Sequence, residues 1–194
     1  MHIEMNTTHR RRLTAPLHTA SWLLAAALAA CGGGSDDPDP RAGAPSGPGP
    51  TCGLANFEAD LLQRVNAARA AGAQCGAHGA FAAAGPLQWH GVLVAAAARH
   101  SQDMASHNFF SHTGSDNSSP AQRVTDAGYG WHLVAENIAA GYRTVQEVMD
   151  GWMTSDGHCA NIMNPGLRDL GVACVPGAAG NTYSTYWTME LAAP

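Results

Sequence analysis

The chain has 194 residues, long enough for one domain with a core, and a formal net charge of −5. Beyond Cys31 it carries seven Arg and no Lys against fourteen Asp and Glu, a sign that excludes nucleic-acid binding and polybasic attachment to a membrane surface. A phosphate-cradling loop ending in Lys is excluded with them.

His9 and Arg10–Arg12 precede an apolar stretch, Leu13 to Ala30, whose uninterrupted part is too short to span a bilayer and fits the apolar region of a signal peptide. It ends in Leu28-Ala29-Ala30-Cys31, which resembles a bacterial lipobox, so residues 1–30 are expected to be cleaved and Cys31 to become the lipidated first residue. Residues 31–51 are rich in Gly, Pro and Asp and read as a disordered tether, with the folded domain at 52–194. The expected location is the cell envelope, anchored in the outer membrane because Gly32 rather than Asp follows Cys31, and otherwise periplasmic or secreted.

Apolar residues at helical spacing from Leu61 to Ala68 predict a first helix over 56–71, with Asn56 as N-cap and Gly72 as stop. A second helix follows Leu87 and Trp89 and runs through Leu93, Ala96, His100 and Met104. Ser119-Pro120 with Gln122 opens a third, closed by Gly128, and Thr144 with Glu147 forms a capping box for a fourth. Strands come late: 170–175 is short and apolar, 183–191 alternates, and AENIAAGY supplies another. Helices flanking a small, largely antiparallel sheet make an α+β layered domain.

After Cys31, four cysteines in an exported chain predict two disulfides, and of the three connectivities Cys52–Cys75 and Cys159–Cys174 close the short loops. His112 and His158 each sit in a Ser/Gly/Asp-rich turn that helix packing does not explain, and Glu136 lies between them in sequence. Two imidazoles and a carboxylate can hold zinc with a position left for water, or form a His–Glu network without metal. His100, on an apolar stripe, and His107, four residues after Asp103, read as packing or helix-surface residues, and Asn66 and Arg69 as structural hydrogen-bonders.

The blocks VNAAR, LQW, ARHSQDM, NFFSHTG, AENIAAGY, GWMTSDGHCANIMNP and LGVAC, in this order, resemble the bacterial branch of the CAP superfamily, or SCP domain. The resemblance implies a three-layer α-β-α sandwich with a central antiparallel sheet and a cleft lined by two His and two Glu. By motif these are His112, Glu136 and His158, while the second Glu falls on Ser155. The family implies no required cofactor, though a cleft of this type can take zinc or another divalent metal. It also implies a monomer that binds a lipid, peptide or envelope protein rather than an enzyme. If the domain is instead a hydrolase of the peptidase or esterase kind, Glu136, His112 and His158 are its catalytic set.

Overall fold

A computed structural model describes residues 50–194 and the backbone of residues 6–9. The expected leader cleavage, the lipidation of Cys31 and nearly all of the tether lie outside the described residues.

Asn6–His9 forms β1. Helix α1 (Phe57–Ala71) leads through β2 (Ala73–Gln74), a short 3-10 turn and β3 (Ala80–Phe81) to β4 (Gln88–Trp89). Then come α2 (Gly91–His107), α3 (Pro120–Asp126), β5 (Leu133–Ala140), α4 (Val145–Met153), α5 (Asp156–Met163), β6 (Asp169–Pro176) and β7 (Thr185–Ala193). The main sheet runs β1-β5-β7-β6-β4, and β2 and β3 form a small ribbon.

The helix stops and caps follow from local chemistry. Ser119 accepts from the Gln122 N–H with Pro120 in the first turn, and both bonds of the Thr144–Glu147 capping box are present. Gly72 ends α1 at φ 75°, and a Cβ there would come within 2.9 Å of the Phe81 carbonyl. Asn56 stands at the N-cap position of α1 but in the left-handed region, so its side chain makes no cap. The acidic Glu58 and Asp60 of the first turn instead complement the positive end of the helix dipole.

Alternation along the strands sorts side chains onto two faces. Ala135, Ala139, Leu170, Val172, Trp187, Met189 and Leu191 meet Phe57, Leu61 and Val65 of α1, Val148 and Trp152 of α4 and Ile162 of α5 in one apolar core. On the other face α2 and α3 cover Val134, Ile138, Tyr186 and Ala192 in two smaller clusters. The α+β sandwich of three layers is therefore present, with one adjustment. The β4–β6 pair is parallel, because the chain between them crosses the sheet instead of turning back.

Two expectations are corrected. The disulfides are Cys52–Cys174 and Cys75–Cys159, with Cα separations of 5.2 and 5.3 Å, in place of Cys52–Cys75 and Cys159–Cys174. Helix α1 explains the first: its 15 residues span about 22 Å between the chain segments holding Cys52 and Cys75, beyond the reach of a bridge. Cys52 instead lies along β6, its N–H donating to the Cys174 carbonyl, and Cys75 faces α5. Second, the segment around His158 is helical: α5 begins at Asp156, with Ser155 at its N-cap position.

Candidate functional site

Glu136 lies in the middle of β5 and projects toward α2 and α3, wholly buried. Its Oε1 accepts from His112 Nδ1 at 2.5 Å and its Oε2 from Arg123 Nη2 at 2.6 Å. His112 belongs to the loop between α2 and α3, and Arg123 holds that loop down. Its Nη1 donates to the Ser118 carbonyl and its Nη2 to the His112 carbonyl, at 2.8 and 3.0 Å. Asp103 fixes the same loop from α2 by accepting from the Ser115 N–H and hydroxyl.

A carboxylate only accepts, so His112 places its proton on Nδ1 and turns Nε2 away from Glu136. That Nε2 is buried and has no hydrogen-bond partner. The ring of His100, also buried, stands 4.0 Å from Glu136 Oε1 and bonds through Nε2 to the Ser111 carbonyl at 2.9 Å. Helix packing explains where His100 sits, but the site uses it as well.

Burial alone would raise the Glu136 pKa. The hydrogen bond from His112 and the electrostatic pull of His100 and Arg123 outweigh it and hold the carboxyl down at about 2. Burial also lowers the pKa of His100, against the opposite pull of Glu136.

Glu190 has the opposite fate. It is the β7 residue directly opposite Glu136, so the two carboxyls share a face between adjacent strands. No donor reaches either Glu190 oxygen. Desolvation first, and the negative Glu136 second, push its pKa well above the carboxylate range. With two adjacent buried carboxyls beside one guanidinium, a single negative charge is favoured on Glu136, and Glu190 is pushed toward its protonated form.

The sequence expected His112, Glu136 and His158 around one opening. The first two meet. His158 is buried on α5, and its carbonyl accepts from Asn137 Nδ2 at 3.2 Å. Asn137 and Glu136 are neighbours on a strand and project to opposite faces, so α5 lies behind the sheet as seen from Glu136. Ser155, at the position of the expected second Glu, is half-buried and makes no side-chain cap. Asp156 does not replace that Glu, since its carboxylate accepts from the Ala77 N–H.

The second carboxyl of the cluster therefore comes from β7. Glu190 was legible only as a polar position in an alternating strand, which reads as solvent-facing until both faces of the sheet are known to be covered. Arg123 gave one signal, a cation inside a short helix beside Val124.

Among the described residues no three His, Cys, Asp or Glu side chains are placed to hold a metal ion. At Glu136 the reason is plain. One oxygen already faces the Arg123 guanidinium, and a divalent ion would have to displace it or sit against a like charge. The residues around Glu136 do not fit a divalent metal.

Comparison with known proteins now places the chain. The model of the CAP family, the cysteine-rich secretory protein family, matches residues 62–191. The uncharacterized protein YkwD of Bacillus subtilis is 39% identical over 106 residues, 55% of this chain and 39% of that one. The uncharacterized membrane protein YlbC of the same organism is 31% identical over 86 residues, 44% of this chain and 25% of that one. The chain thus matches about two-fifths or less of the length of these relatives. Among solved structures, an extracellular protein containing an SCP domain from Bacillus anthracis aligns with a TM-score of 0.56 at 26% identity, over 77% of this chain and 45% of that one. A cysteine-rich secretory protein from Staphylococcus aureus aligns with a TM-score of 0.50 at 16% identity, over 70% and 38%, a likeness of fold alone.

Proposed function

We propose a function whose premise is that the chain belongs to the CAP, or cysteine-rich secretory protein, family: it is a binding module, exported to the cell envelope and tethered there by a lipid on Cys31. Support for export comes from the leader-like Arg10–Ala30 stretch and from a structural relative described as extracellular. Among the described residues, no helix is long and apolar enough to cross a membrane. Mass spectrometry of the mature chain should find acylated Cys31 at its N-terminus, and an unmodified peptide spanning Ala30 and Cys31 would overturn the anchor.

One observation favours binding over catalysis: both oxygens of Glu136 are engaged, by His112 and by Arg123. Freeing the carboxylate to activate water or ligate a metal means breaking a buried ion pair, at a cost of about 3–5 kcal/mol. His112 Nε2, buried and without a partner, then remains as the polar group that a ligand entering beside its loop would meet, with half-buried Phe109, Phe110 and Tyr183 as apolar neighbours of that loop. That pairing suits a small apolar ligand or a peptide.

Zinc and copper titrated into the full chain and into a His112→Ala/His158→Ala variant should give equal heats. Larger heats with the unaltered chain would overturn the metal-free reading. Anilinonaphthalene sulfonate should brighten with the unaltered chain and less with Phe110→Ala; equal signals would remove the apolar site.

The hydrolase reading keeps one observation in its favour, an imidazole oriented by a carboxylate with Nε2 left over. It requires ester or peptide hydrolysis that disappears in His112→Ala while the fold is retained.

A further inference from the structure

A second site lies at the other end of α2. A cleft of about 470 Å³ opens between the start of that helix, β4, the beginning of β6 and the turn after α3. From His90 to His100 is ten residues of helix, about 15 Å, so this cleft is separate from the Glu136 cluster.

Its walls combine rings with hydrogen-bonding groups of both kinds. His90 and Tyr129 supply the rings, with His90 held edge-on to Tyr129 at 4.9 Å and 86°, while Trp89 borders the cleft at the sheet edge and packs against the α1-side core. Gln88 and Asp169 are register neighbours on β4 and β6. The Tyr129 hydroxyl donates to Asp169 Oδ2 at 2.5 Å, and among the described ion pairs none involves Asp169. The nearest cation in sequence, Arg168, donates instead to the Pro165 and Leu167 carbonyls. His90 Nδ1 is buried without a partner. Gly91 and Val92 also line the cleft, and their N–H groups are donors that the helix leaves unsatisfied and that His90 does not cap.

A ligand for this cleft must donate to Asp169, accept from backbone N–H groups and lay an apolar face on aromatic rings. An anion is opposed by Asp169, and a cation by the positive end of α2. A neutral group that donates and accepts within a few ångströms satisfies both. We propose that the cleft binds an N-acetylated saccharide, with the acetamido N–H on Asp169, its carbonyl toward Gly91 and Val92, and a sugar face against His90 beside Tyr129.

Titration of the full chain with chitotriose, followed by calorimetry and by chemical shifts of the His90 and Tyr129 rings, tests this. Saturable binding is expected, weakened at least about tenfold in Asp169→Asn, which keeps the side-chain shape but removes the charge-assisted bond. Gln88→Ala, at an exposed position, should weaken binding without affecting folding, and His112→Ala should leave it unchanged. Absence of saturation would overturn the proposal, as would equal affinity in folded Asp169→Asn and Gln88→Ala. Loss of binding in His112→Ala would do the same by moving the sugar to the Glu136 site, and none of these results bears on the metal titration.

Discussion

The two faces of one sheet have been put to different uses. Facing α1, α4 and α5 the strands present an almost unbroken apolar surface, with Phe57 stacked on Trp187 at 5.7 Å and a disulfide at Cys174. Facing α2 and α3 the alternate residues of those strands include Glu136, Thr188 and Glu190, equally buried. There the apolar contacts split into two clusters, and a layer of His100, Ser101 and Arg123 completes the polar set. The first face contributes cohesion that is mostly apolar. The second must satisfy each polar atom from a neighbour, which makes it specific and dependent on pH.

The disulfides test the cohesive side most severely. Each closes a long loop, 122 and 84 residues of separation, worth about 4.5–5 kcal/mol in the chain-entropy model. Replacing Cys75 and Cys159 by Ala should lower stability by about that amount in denaturant titration. Peptide mapping without reduction should recover 52–174 and 75–159 linkages, and a 52–75 peptide would contradict the fold.

Next come one residue from each face. Trp152→Ala should cost about 3–5 kcal/mol at any pH from 5 to 8, because packing and an uncharged hydrogen bond to the Ile138 carbonyl are lost. Arg123→Leu should cost a similar amount, about 3–5 kcal/mol, by leaving Glu136 charged without its guanidinium, and a second change, Glu136→Gln, should recover part of it. Equal behaviour of the two variants across that pH range would erase the distinction between the faces.

The third expectation concerns sign. Glu190 has a raised pKa in the fold, so its contribution is complete below about 4.5, the unfolded value, and is lost as pH rises toward the folded value. Glu136 is held at about 2, so its contribution is present above about 4.5 and lost as pH falls toward 2. Glu190→Gln keeps the neutral shape and should therefore gain on the unaltered protein above pH ~5, by up to about 1.4 kcal/mol per pH unit. Chemical denaturation at a series of pH values reads this directly, and parallel curves would mean that Glu190 ionises freely. The smallest effect is local: Thr144→Ala should cost about 1 kcal/mol through loss of the α4 cap, with no change at Glu136.

Much of the fold was legible because its signals are local. Ser119-Pro120, Thr144 with Glu147, and the alternation before Leu191 each act within a few residues, and each appears where the pattern put it. What was not legible depends on distance in space. The cysteine pairing follows from α1 carrying the chain away from Cys52, a fact of topology. The site divided in the same way. His112 and Glu136 announced themselves as polar residues in shape-selected segments, whereas Glu190 looked like a surface position until α2 was laid over it. His100 was read as packing, and its spacing gave no sign that it also faces a carboxylate.

Gly171 stands opposite Glu190 on β6, in line with Glu136 across three strands. A Cβ there would meet the backbone of Leu93 and Val94 at 2.2–2.4 Å. The smallest residue thus sets the thickness of the polar layer, and with it how much water reaches two acids. A methyl group at that one position would act as a shim, prising the long helix from the sheet and letting solvent decide what the neighbouring strand now decides, namely which carboxyl keeps its proton.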